Sequence, residues 1–275
     1  MKAIFLLCVS LASSLLLTGV SNTANAKQLN LSQSINQAGL QRMLSQRMAK
    51  NYILLSQEID IQSAANELDE SSALFEENLF NLNGSISDSD SKLALKKLKQ
   101  SWYGFRQFVL SDANIKQTAQ VVNRSTLLLK SAHALVLSLE RSSRAQSDHL
   151  INVSGRQRML SQRLAMLYYA SHSGIEEKKF QQEMHKTSRQ FGQALTKLMA
   201  AKENNVEINE ALEEVNNQWS FYKTKFNGTN KGRFSPKTIK VVSESLLKEM
   251  NRITNLYEIE SMAQAKYSTW IKPAN

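Results

Sequence analysis

Along most of the chain apolar side chains recur at three- and four-residue steps, with polar residues between them. Leu246, Met250, Ile253 and Tyr257 form one such stripe, and Leu127, Leu128, Ala134, Leu135 and Leu139 read as another. That period places apolar residues on one face of an α-helix. Strand-like runs of Val, Ile and Thr are missing, and only two prolines, Pro236 and Pro273, are present. Leu, Ala, Gln, Lys, Glu, Ser and Met dominate, the composition of long helices. The fold class predicted is all-α, with the apolar stripes as bundle core.

Turn-forming residues divide the stripes into elements. The first half gives helices from Ser32 to Gln57, Ile61 to Leu82 and Ser91 to Leu110, and a fourth starting near Ile115. The turn formers Asn83 to Asp90 separate the second from the third, and Ser111 to Asn114 the third from the fourth. Nothing obvious stops the fourth helix, so a continuous long helix running into the second half is one expectation. In the second half Ser173-Gly174 reads as a C-cap. Lys202 to Asn205 and Asn227 to Gly232 read as loops, and Ser235-Pro236 as the N-cap and first position of the last helix.

The two halves are copies. Residues 36–49 read NQAGLQRMLSQRMA and residues 152–165 read NVSGRQRMLSQRLA, with ten of the fourteen positions identical at an offset of 116. Weaker matches continue: Trp102 aligns with Trp219 at 117, and Val121-Val122 with Val241-Val242 at 120, which sets Leu127 on Leu247. The predicted architecture is two tandem antiparallel four-helix-bundle modules, residues 27–148 and 149–275.

Residues 1–26 read as an export signal. Lys2 precedes an apolar run from Ala3 to Leu17, and Ala24-Asn25-Ala26 is an A-x-A cleavage site. A mature chain beginning at Lys27 and located in the periplasm, or otherwise exported, is expected. No later apolar run is long enough to span a bilayer. The only cysteine, Cys8, lies inside the signal, so the mature chain is expected to lack disulfides, thiolate metal sites and cysteine nucleophiles. The net charge is +10, spread along the chain and not interleaved with aromatic residues, which argues against nucleic acid as a partner. His133, His149, His172 and His185 form no metal-ligand spacing, and no phosphate loop, cofactor motif or catalytic constellation is found. An enzyme is not expected, nor a metal or cofactor.

The informative element is the run common to both copies. It contains Gly39, Arg42, Met43, Ser45 and Arg47 in the first, and Gly155, Arg158, Met159, Ser161 and Arg163 in the second. Two arginines five residues apart lie about 140° apart around a helix and so face different neighbours. Flanked by Met43, Leu44 and Met48, they are expected to be partly buried. A buried guanidinium needs an anion or several carbonyl partners, and its donor fork matches two oxygens of a planar oxyanion. A glycine one turn before the first arginine lets a helix or small ligand approach the backbone. The alternative is that the arginines pair with acids such as Glu58, Asp60 or Glu67, or with carbonyls at a helix–helix contact, the glycine then only permitting close packing. Arg42 and Arg158 are expected to have the open, ligand-facing approach, and Arg47 and Arg163 the helix–helix role.

This run resembles the motif of the PilJ-type domain, the N-terminal sensing domain of type IV pilus methyl-accepting transducers. It is also similar to the stretch of nitrate/nitrite sensor histidine kinases with the pattern Gly-x-x-Arg-Met-x-Ser-x-Arg. Gln46 and Gln162 depart from that pattern, standing where those kinases have an aromatic residue. The resemblance implies a small-oxyanion site, nitrate or nitrite first, between the first helices of the two copies. Arg42 and Arg158 would contact the anion, with Gly39, Gly155, Ser45, Ser161, Arg47 and Arg163 around it. It implies a membrane-bound transducer or sensor kinase as the partner that reads occupancy. The second expectation is an interaction protein that binds no ligand and docks onto a transducer or pilus-related partner. Arginines fully paired with internal carboxylates, and no space beside the glycines, would favour that second expectation.

Overall fold

The computed structural model describes residues 26–143, 145–226 and 234–270. The predicted signal segment lies outside them apart from Ala26. The described residues form α1 (Leu31–Ser56), α2 (Ile61–Ser85), α3 (Ser89–Val109), α4 (Thr118–Arg141), α5 (Gln146–Ala170), α6 (Glu177–Met199), α7 (Val206–Tyr222) and α8 (Pro236–Trp270). Short 3₁₀ turns precede α4 and follow α7. Among the described residues there is no strand, and no helix is long and apolar enough to cross a membrane.

Local chemistry sets several starts. Asn30 accepts from the Gln33 backbone N–H while the Gln33 side chain accepts from that of Asn30, a capping box that opens α1. Asp88 and Asn205 cap α3 and α7 the same way, each accepting from the backbone N–H three residues on. Gly174 takes a left-handed conformation in the turn between α5 and α6.

The two copies share one core. α1 packs on α2, α4 and α5; α5 packs on α1, α6 and α8; α3 covers α4, and α7 covers α8. The centre is therefore the pair α1 and α5, which run parallel. Near their N-terminal ends Ser32 Oγ donates to Asp148 Oδ1 at 2.7 Å, and near their C-terminal ends Gln57 Nε2 donates to the Tyr169 carbonyl at 2.9 Å. One contiguous buried cluster contains residues of both copies. Each copy packs a tryptophan against a phenylalanine, Trp102 stacked on Phe75 at 4.3 Å and Trp219 tilted against Phe191 at 4.5 Å between ring centres.

Two sequence expectations change. The chain does not run through as one long helix: α4 ends at Arg141 and α5 starts at Gln146. α4 lies antiparallel to α1, with Tyr52 bonded to Gln117 and Gln46 to the Ser125 carbonyl, whereas α5 is parallel to α1. A reversal between them is obligatory, and Ser143, accepting from the Ala145 backbone N–H, shapes it. The fourth helices also align differently. Gln46 donates to the Ser125 carbonyl and Gln162 to that of Ser243, an offset of 118 and not 120. In this register Leu128, Leu135 and Leu139 fall on Leu246, Ile253 and Tyr257, all buried, while Leu127 is 61% exposed.

Candidate functional site

The leading feature at the centre of the molecule is a pair of arginines. Arg42 on α1 and Arg158 on α5 are 1% and 0% exposed. Each reaches back toward the N-terminus of the neighbouring helix, the direction in which helical side chains lean. Arg42 Nη1 donates to Asn152 Oδ1 at 2.8 Å and Nη2 to the Asn152 carbonyl at 3.1 Å. Arg158 mirrors this, with Nη2 donating to Asn36 Oδ1 at 2.7 Å and to the Asn36 carbonyl at 3.3 Å. Asn36 and Asn152 are equivalent positions, so the contacts obey a pseudo-two-fold between the copies.

The glycines make room for these tips. A Cβ on Gly39 would lie 3.3 Å from both Arg42 Nη2 and Arg158 Nη2, and one on Gly155 would lie 3.4 and 3.0 Å from them. The two guanidinium groups therefore meet over the notch left by the two glycines. Gly39, Gly155, Arg42 and Arg158 are brought together at this point. The approach to Arg42 is not open, however. Arg42 lies deeper than Arg47, whose side chain is 22% exposed, because the α1–α5 pairing places position 42 on the shared face and position 47 at its edge.

No carboxylate bonds to either buried arginine among the described residues. Each is linked to one at a remove: Asn152 Nδ2 donates to Glu140 Oε2 at 2.5 Å, and Asn36 Nδ2 donates to Glu258 Oε2 at 2.6 Å. Nε of both arginines is buried without a hydrogen-bond partner among the described residues. Burial, with Arg158 and then Arg156 nearby, pushes the Arg42 pKa down to about 9, although Glu140 opposes the shift. Burial pushes Arg158 down to about 10 against the pull of Glu258. Two adjacent desolvated cations without direct counter-charge are costly, and an anion between them would relieve that cost.

The remaining motif residues have other duties. Ser45 and Ser161 donate to the carbonyls of Arg42 and Arg158, one turn back on their own helices. Arg47 pairs with Glu244 at 3.1 Å and Glu67 at 3.5 Å, and Arg163 with Glu183 at 2.8 Å and Gln46 Oε1 at 2.8 Å. These are contacts between helices at the edge of the α1–α5 pair. Gln41 and Gln157 donate to the carbonyls of Phe75 and Phe191, tying α2 and α6 to the centre.

Sequence reasoning missed four residues of this site: Asn36, Asn152, His133 and Asn251. His133 Nδ1 lies 3.4 Å from Arg42 Nη1, and Asn251 Oδ1 accepts from Arg158 Nη1 at 2.8 Å. Asn36 and Asn152 carried a signal, since both open the 14-residue match. No cluster of residues able to hold a metal ion is found among the described residues.

A family model described as "Type IV pili methyl-accepting chemotaxis transducer N-term", PilJ, matches residues 23–127 and 141–233. Comparisons with curated proteins and with solved structures found no match.

Proposed function

The chain belongs to the PilJ family of transducer N-terminal domains, and on that basis we propose that it is a sensing protein that binds a small oxyanion between Arg42 and Arg158. The observation that carries this reading is the pair of guanidinium groups, brought together from equivalent positions, fully buried, and with no direct carboxylate partner among the described residues. Each has an Nε donor with no partner among the described residues. A planar anion such as nitrate or nitrite matches such donors and supplies the missing charge. The chain acts outside the cytoplasm in this reading, after removal of the segment ending at Ala26. It hands its occupancy to a membrane-bound transducer or sensor kinase.

A ligand at this position touches both α1 and α5, so binding alters the contact between the two copies. That gives it a route to a partner: only a ligand with different affinities for two arrangements of these helices shifts one toward the other.

One observation favours a second reading. Asn36 and Asn152 already engage the arginine tips, and those tips occupy the space beside the glycines. In that reading the motif is a polar lock between helices, and the bundle is an interaction protein for a transducer or pilus-related partner.

Calorimetry and thermal melts of the chain from Lys27 onward, against sodium nitrate, nitrite and sulfate, separate the two. Binding of one anion per chain is expected. At a concentration of about 100 Kd it stabilises the fold by roughly 2.7 kcal/mol. Arg42→Lys and Arg158→Lys keep the charge and lose the planar fork, so each weakens binding at least tenfold. Folded protein giving no heat and no melting shift with any of these anions selects the interaction reading.

A further inference from the structure

The two halves of the arginine pair are not equivalent, and the difference is a histidine. The motif, the glycines and the asparagine partners are the same in both copies, and each guanidinium Nη1 also meets a residue of its own copy's fourth helix. At Arg158 that residue is Asn251, whose Oδ1 accepts at 2.8 Å. At the equivalent position beside Arg42, 118 residues earlier, stands His133, with Nδ1 at 3.4 Å. An arginine only donates, so this contact is a hydrogen bond when His133 is neutral, with Nδ1 as acceptor and the proton on Nε2. An asparagine has no second protonation state, whereas a histidine does.

We infer that His133 couples occupancy of the arginine pair to uptake of one proton, so that the Arg42 half of the site binds the anion together with a proton and the Arg158 half does not. The inference rests on the oxyanion reading above. His133 faces Arg42 from α1, Arg156 from α5 and Glu140 on its own helix. Burial, then Arg42 and Arg156, hold its pKa below the ordinary value, and Glu140 does not compensate. Glu140 is already engaged by Asn152 Nδ2 at 2.5 Å and by His149 Nδ1 at 2.6 Å. An anion on Arg42 cancels the charge that most directly opposes protonation. His133 then takes a proton from solvent at Nδ1 and changes from acceptor to donor, adding one donor to the guanidinium fork. By linkage the same coupling works in reverse: protonation of His133 strengthens anion binding, so affinity rises as pH falls through the window between the empty-site and occupied-site values.

The test uses the chain from Lys27 onward and sodium nitrate. Titrations at pH near neutrality in two cationic buffers of different ionisation enthalpy report the protons exchanged. The expected result is a buffer-dependent heat corresponding to uptake of up to one proton per nitrate. Affinity should rise by as much as about tenfold per pH unit inside the window. His133→Asn converts this half into the Asn251 arrangement. It should still bind nitrate, with the buffer dependence and the pH slope gone. The His133 Cε1–H resonance gives a second readout, shifting to a higher pKa on addition of nitrate. Nitrate binding with identical heats in both buffers overturns the inference and leaves the oxyanion reading standing. Retained proton uptake in His133→Asn also overturns it, by placing the proton elsewhere. Absence of nitrate binding by folded wild-type chain removes both.

Discussion

Lys50 is the sharpest place to test how the copies are held together. It is fully buried, with Nζ 2.7 Å from Glu244 Oε1 on α8 and 3.1 Å from Glu67 Oε2 on α2. The position 116 residues later holds Met166, and the one 118 residues before Glu244 holds Thr126. The second copy thus performs the same packing without the extra ion pair, keeping only Arg163 on Glu183. Removing one partner from a buried pair costs about 3–5 kcal/mol when the other charge is abandoned. Here Arg47 still reaches both carboxylates, and Glu244 is 29% exposed, so Lys50→Met should cost nearer 2–3 kcal/mol. Glu244→Thr should cost a similar amount, because Lys50 keeps only Glu67. The double variant recreates the second copy's arrangement, with Arg47 on Glu67 as Arg163 is on Glu183. It should be no less stable than either single variant, a coupling of about 2–3 kcal/mol. Urea denaturation of the four proteins, followed by helical circular dichroism, measures this. Additive losses, or an unchanged Lys50→Met, would refute the reasoning.

Burial pushes the Glu67 carboxyl up, but Lys50, Arg47 and Lys240 outweigh it and hold its pKa below the ordinary value. Its contribution is complete above the ordinary carboxylate range and is lost as pH falls through the folded value, so wild-type unfolding free energy should drop below about pH 4.5 more steeply than that of Glu67→Gln. Gly104 lies on the exposed face of α3 with nothing near a Cβ, so Gly104→Ala should raise stability by about 0.5–1 kcal/mol in thermal melts. Gly155→Ala gains the same helix propensity, yet its Cβ would sit 3.0 Å from Arg158 Nη2, a tip held by Asn36; no stabilisation and a loss of nitrate affinity of at least fivefold are expected. Gln157→Leu removes a second, buried donor from the Phe191 carbonyl, which keeps its bond within α6, and should cost about 0.5–1.5 kcal/mol in denaturant titrations, with α6 exchanging amide hydrogens faster.

Helices and repeat were legible because both are properties of spacing within one stretch of chain. The arginine pair was legible as a pair for the same reason, since Arg42 and Arg158 stand in matched runs. What was not legible depends on how the copies meet. Asn36 lies six residues before Arg42, about 9 Å along the helix axis, and its partner is Arg158 on α5. That spacing acquires meaning only once the two helices run parallel and each arginine leans back along the other. The break between α4 and α5 has the same origin: Ser142 to Ala145 carry no strong stop signal, and the reversal is demanded by tertiary packing. The slip from 120 to 118 in the fourth helices turned on two valine pairs that look alike. Two residues rotate a helix by about 200°, enough to send Leu127 from the expected core to solvent.

Duplication within one chain allows what identical subunits cannot. Were α1 and α5 identical, both arginines would face the same fourth-helix residue, and both edges of the central pair would carry the same charges. In this chain the arginines, their glycines and their asparagine partners match, while the surroundings have separated. His133 stands opposite Asn251 in register, Lys50 opposite Met166, and Thr126 opposite Glu244. Covalent linkage keeps α1 and α5 at high effective concentration, so the contact survives this loss of symmetry without depending on chain concentration. All three differences adjoin α1, α5 or the fourth helices that flank them, the helices a central ligand would move. The divergence therefore falls on the parts that would set the site's response, and the matched residues are those that would hold the anion.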